Sequence, residues 1–161
     1  ARSSRPLSEC EVNTETPEAL EPFILSYEAS AMALVAAETF KLSLIDKSFK
    51  LFETAIQKYG AVHYLPKFMR GSVAENLPWF YFSKRALAKI DFENIIRKQA
   101  QHPEYASWKI MSFVYWAWAK QHPQRKYRSQ ALSYLQKAIE LDPHYLAGRK
   151  RSEELMAQFT N

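Results

Sequence analysis

Residues Pro103 to Pro143, PEYASWKIMSFVYWAWAKQHPQRKYRSQALSYLQKAIELDP, hold two apolar-periodic stretches joined at one break. The first places Trp108, Met111 and Tyr115 at helical spacing, and the second places Ala131, Leu135 and Ala138 likewise. His122-Pro123 separates them, because the residue before proline is pushed out of the α region. Two short helices so joined cannot bury their faces alone, so such a unit has to pack on further helices. With only 3 Gly against 22 Lys+Arg and 17 Asp+Glu, the rest of the chain also favours helices over a turn-rich β architecture.

Residues 1–15 have no period and read as a flexible tail. Thr16-Pro17-Glu18 is a helix-start signal, and the helix it opens runs to about Leu42, rich in alanine over 29–37. Asp46 is positioned to cap a second helix, Lys47 to Tyr59, with Phe49, Phe52, Ala55 and Ile56 on one face and Gly60 as its stop. A third helix is expected from Val62 to Asn76, ended by Leu77-Pro78. The aromatic run Trp79-Phe80-Tyr81-Phe82 follows, then Ser83 as cap of a helix over Lys84 to Ala100. His102-Pro103-Glu104 opens the next helix, Arg125 to Leu141 forms its partner, and Asp142-Pro143 begins a polar last helix to about Phe159.

The order Trp108, Met111, Ser112, Tyr115 followed by Ala131, Leu135, Ala138, Pro143 resembles the signature of a tetratricopeptide repeat. A degenerate copy lies over 30–60 (Met32, Val35, Ala36, then Ser48, Phe52, Ala55), and a weaker one over 62–100 (Leu65, Phe68, Met69, Ser72, then Ala88, Phe92, Ile95). Leu65 to Ala88 and Trp108 to Ala131 both span 23 positions, where the standard repeat has about 16, so both units carry the same enlargement of about seven residues between their helices. The resemblance implies an all-α fold: a single domain over 16–161, three such hairpins in a short right-handed α-α solenoid, with an N-terminal helix and a C-terminal capping helix over 143–159. Trp108, Met111, Tyr115, Leu135 and Ala138 are then expected in the core.

The same resemblance implies a concave surface on which family members hold an extended peptide or a partner helix. Its groove positions fall on Phe40, Lys41, His63, Arg70, Lys109, Phe113 and Trp116. Cations mixed with aromatics suit an acidic peptide with an apolar anchor. Phe113 stands where a carboxylate clamp would need an asparagine, which argues against capture of a C-terminal carboxylate. The two enlargements are a second candidate patch: Trp79, Phe80, Tyr81 and Phe82 in one, Arg125, Lys126 and Arg128 in the other. Four consecutive aromatics cannot share one face, and the favoured expectation is that the run folds back and plugs the array rather than standing in solvent.

Net charge is +5 with a sequence pI near 9.3, which leaves room for nucleic acid or an anionic surface, with Tyr127 beside the basic cluster to stack on a base. Arg149, Lys150 and Arg151 have Glu153 and Glu154 at pairing distance. The one cysteine, Cys10, makes no disulfide within the chain and is compatible with cytoplasm or bacterial periplasm. The longest apolar run, Ala29 to Ala37, is bounded by Glu28 and Glu38 and falls short of the roughly 20 residues of a transmembrane helix. The N-terminus lacks the apolar core of a signal peptide.

His63, His102, His122 and His144 form no metal-binding pair, Asp91 and Glu93 point to different sides of their helix, and three scattered glycines build no phosphate loop. Catalysis, metal and cofactor are therefore not expected. The function class that remains foremost is an adaptor or assembly factor binding a protein or peptide, with a second copy of the chain as one partner. A small-ligand transport accessory subunit with a pocket closed by 79–82, and an RNA or anionic-surface binder, are the other classes.

Overall fold

The computed structural model describes residues 17–160, so the tail over 1–15, Cys10 and the Thr16 cap lie outside the described residues. Every regular element among them is helical, as the periodicity predicts: α1 Pro17–Thr39, α2 Ser43–Tyr59, α3 Leu65–Asn76, α4 Phe82–Gln101, α5 Trp108–Gln121, α6 Arg128–Leu141 and α7 Arg149–Thr160. Short 3-10 turns, Trp79–Tyr81 and Arg125–Tyr127, precede α4 and α6. The chain divides into two compact units, one ending at Pro66 and the other beginning at Lys67.

In the first unit α1 packs along α2 through small side chains. Ser26, Ala29, Ala33 and Ala36 are buried at alternating four- and three-residue spacing, so the backbones approach closely. The Ser48 hydroxyl of α2 donates to the Ala29 carbonyl at 2.7 Å. Phe49, Phe52 and Ala55 close this core from the α2 side. The opposite face of α1 is also apolar but exposed, with Leu20, Ile24, Tyr27, Leu34 and Val35 outward. Val35, which takes a repeat position in the sequence pattern, is thus exposed. Although no continuous apolar run predicts it, the stretch Ala19–Thr39 of α1 is long and apolar enough to cross a membrane by length and composition.

One start and two stops in this unit differ from expectation. α2 begins at Ser43, which places Asp46 in its first turn beside the helix dipole rather than at the cap. Gly60 keeps right-handed dihedrals, so its freedom to turn left-handed is not what ends α2. The left-handed turn sits at the end of α1 instead, where Phe40 has φ 55° and is 86% exposed. A side chain in that region costs about 1–2 kcal/mol, against the entropy of a glycine at about 0.5–1. Phe40→Gly is expected to stabilise the first unit by roughly 0.5–1 kcal/mol in urea melts.

The second unit is centred on Phe92 and Ile95 of α4, Met111 and Val114 of α5, and Leu135 of α6, all enclosed. α3 meets α4 where Lys67 donates to Asn94 at 2.7 Å and the Arg70 guanidinium grips Asp91 through two bonds of 2.8 Å. Ser112 of α5 donates to the Ala138 carbonyl of α6 at 2.8 Å and accepts from the Gly148 N–H at 3.1 Å. α5 starts at Trp108 under a Ser107 cap, not at His102-Pro103, and Trp108 at its first turn is 40% exposed rather than in the core. α4 starts at Phe82, one residue before the expected Ser83 cap.

The last helix begins at Arg149 rather than at Asp142-Pro143. The Asp142 carboxylate accepts from the N–H groups of Leu146, Ala147 and Arg149 at 2.7, 2.8 and 3.1 Å and holds 143–148 as a loop. Burial alone raises its pKa, but these backbone donors and the Arg149 charge outweigh burial and hold it below the ordinary carboxylate value. A lowered folded pKa adds stability above the unfolded value of 3.8 that disappears as pH falls through the folded value. Amide exchange at Leu146, Ala147 and Arg149 is therefore expected to accelerate selectively below that pH, and at all pH values in Asp142→Ala.

Candidate functional site

Both helix-to-helix junctions of the second unit use the same local devices. Leu77-Pro78 and His122-Pro123 each end a helix, an extended residue follows (Pro78 ψ 153°, Gln124 ψ 142°), and a 3-10 turn leads into the next helix. The residue before each proline is buried, which anchors both loops at their base. With about three residues per turn, a 3-10 turn sends successive side chains in three directions. The run 79–82 therefore splays instead of folding back: Trp79 is 81% and Phe82 76% exposed, and Phe80 also faces outward. The expected plug is overturned. Phe80 packs on Trp79 and Tyr81 with ring centroids 6.0 and 4.9 Å away, so these three rings form one cluster.

The second loop is pinned by an aromatic stack. His122 lies flat on Trp118 at 3.9 Å and its Nδ1 bonds the Trp118 carbonyl at 2.7 Å. Tyr127 meets both rings edge-on, at 6.0 and 4.9 Å, so its ring is packed on the protein rather than held out to stack on a base. Arg125 and Lys126 are exposed, Lys126 lying 4.8 Å over the Tyr127 ring, and Arg128 donates to the Phe159 carbonyl of α7.

Between the two junctions lies a notch of about 480 Å³, open to solvent. Its α4 wall is Phe82, Arg85, Ala86 and Lys89, and the facing wall is Lys120, Gln121, Pro123 and Gln124, with Glu75 at the end of α3. The Glu75 carboxylate is paired by Lys120. Arg85 donates one N–H to the Leu77 carbonyl, and a carbonyl leaves its charge unneutralised. Lys89 makes no ion pair among the described residues. The notch is thus a cationic recess with an apolar lip at Phe82 and Pro123.

The groove positions expected from the sequence behave differently. Phe40, Lys41 and His63 belong to the first unit, and Arg70, Lys109, Phe113 and Trp116 to the second. Phe40 and Lys41 are exposed. His63 is half-buried, edge-on to Phe23 at 4.9 Å and stacked on Tyr64, and its Nδ1 accepts the Leu65 N–H at 3.1 Å. Burial pushes its pKa below the ordinary value, favouring the neutral ring. The Arg70 charge is spent on Asp91, and its side chain is only 13% exposed. Phe113 is half-buried, packed against Phe68, Phe92 and Trp116. Trp116 lies between Lys120 and Arg151, each 5.1 Å from its ring. Lys109 is exposed and lies over Trp108 at 5.5 Å. Of the α7 cations, Arg149 pairs with Glu153 at 2.7 Å as its spacing predicts, while Arg151 stacks on rings instead.

Arg85, Lys89, Lys120, Gln121 and Gln124 were not singled out from the sequence. The signal available was Arg85 and Lys89 at (i, i+4) just after one enlargement, with Lys120 and Gln121 just before the other. No family model, curated protein or solved structure matches this chain.

Proposed function

We propose that this chain is a non-catalytic interaction module, built of tetratricopeptide-like hairpins in a short right-handed solenoid, that captures an extended acidic segment of another protein. The observation that carries the reading is the notch at the paired junctions. Arg85 and Lys89 supply uncompensated positive charge there, and Trp79, Phe80 and Phe82 stand exposed beside them. Monomer surfaces seldom keep large rings in solvent without a partner, and aromatic anchors rimmed by charge are the usual energetic centres of interfaces. A segment with one apolar anchor flanked by Asp or Glu matches both features. In this reading binding centres on the junction edge of the second unit, because Arg70 and Phe113 are already committed to internal partners.

The test is an array of acetylated, amidated nine-residue peptides with a single Phe, Leu or Trp among Glu and Asp, read by fluorescence anisotropy. Micromolar binding is expected, weakening as NaCl rises from 50 to 300 mM. Arg85→Glu with Lys89→Glu should lower affinity at least about tenfold, whereas Lys109→Glu should leave it unchanged. Absence of any binder below millimolar would remove the proposal. Sensitivity to Lys109→Glu but not to the notch variants would move the site back to the groove.

A further inference from the structure

We infer that Gln121 reads the main chain of the captured segment, its carboxamide Nε2 donating to a peptide carbonyl while Oε1 accepts a peptide N–H. This rests on the peptide-binding reading and names how the notch recognises its ligand. Gln121 is the last residue of α5 and lines the notch, yet both its carboxamide atoms are enclosed without a hydrogen-bond partner among the described residues. The neighbouring groups explain why. Lys120 is turned to Glu75, His122 Nδ1 is bonded to the Trp118 carbonyl, the His122 N–H goes to Ala119, and Pro123 has no N–H to offer. A buried donor and acceptor left unpaired both destabilise the free protein, and methionine would fill the same space without that cost.

The chemistry of the missing partner is narrow. A carboxylate or phosphate would satisfy Nε2 alone, and a cation Oε1 alone. In an extended segment one residue turns its own N–H and C=O to the same side, a donor and an acceptor that match both carboxamide atoms, and both are left unpaired. Three rotatable bonds let the Gln121 amide turn into the notch without backbone movement. The anionic side chains of the same segment would then fall toward Arg85 and Lys89, and its apolar anchor toward Phe82.

The experiment pairs Gln121→Met with a scan of single backbone N-methylations along the best peptide from the array. Gln121→Met is expected to raise the melting temperature of the free protein by about 3 °C. It should weaken the peptide about tenfold. One N-methyl position should cost the wild type about tenfold and cost the variant nothing further. Equal N-methyl penalties in both proteins, or unchanged affinity in Gln121→Met, would overturn the inference while leaving salt-dependent peptide capture intact. A fall in melting temperature would overturn it too, since the amide would then be satisfied in the free protein. If no peptide binds the wild type, the function and this inference fall together.

Discussion

Replacing Arg70 with methionine is expected to destabilise the second unit by about 3–5 kcal/mol. Asp91 has a side chain only 2% exposed, and both its oxygens are held by one guanidinium at 2.8 Å. Taking the cation away leaves a carboxylate buried beside Phe92 with no adequate compensation. Arg70→Met together with Asp91→Leu should recover most of the loss, because the cost lies in the orphaned charge and not in the missing bonds. Urea melts of the two single variants and the double variant give the cycle.

The same pair sets a pH dependence. Burial raises the Asp91 pKa above its ordinary 3.8, opposed by the bonds and charge of Arg70 and by Lys67. In Arg70→Met the main opposition is gone and the folded value climbs further. A raised folded pKa means the folded chain holds the proton while the unfolded chain has released it. Stability is therefore lost as pH rises from the unfolded value through the folded one. The deficit of Arg70→Met relative to wild type should be smallest at acid pH and fullest at neutral pH. A deficit independent of pH would show that Asp91 is not the cause.

Gly148→Ala is expected to cost about 3 kcal/mol and to loosen α7. A Cβ at this position would lie 2.5 Å from the Ser112 backbone oxygen and 2.7 Å from the Ser112 carbonyl carbon and Oγ. The obstacle is helix α5 itself, which cannot turn aside as a side chain can. Gly148 also donates to Ser112 Oγ, and its carbonyl accepts from the Ser152 hydroxyl at 2.8 Å, so three helices meet at one residue. Gly71→Ala is the internal comparison. Its nearest obstacle is the Phe92 ring edge at 2.9 Å, a side chain rather than backbone, so its cost should be smaller. The reverse order in denaturant melts, or unchanged amide protection in α7 of Gly148→Ala, would contradict this reading of the crossing.

The helices were legible because a 3.6-residue apolar period needs no knowledge of neighbours. Phe52, Phe92, Met111 and Leu135 all lie where that period puts them. The starts of α5 and α7 were not legible. His102-Pro103 and Asp142-Pro143 have the composition of helix starts, but longer-range bonds claim the chain first. The Gln99 side chain accepts the Ala106 N–H at 2.8 Å, and Asp142 takes three N–H groups of the following loop. α1 packs through its alanine-rich stretch, where small side chains let the neighbouring helix approach, and its large apolar residues lie on the other face.

By itself the sequence determined the helical elements, the breaks at Leu77-Pro78 and His122-Pro123, and the presence of one aromatic and one basic junction. Those are local properties, set by backbone sterics and by residues three or four apart. Tertiary structure alone decided which charges and amides remain available. Arg70 is spent on a carboxylate 21 residues away and Lys120 on one 45 residues away, while among the described residues Arg85 and Lys89 find no acid and Gln121 no partner. Pairing over such separations depends on how helices stack, and no spacing rule within a helix encodes it.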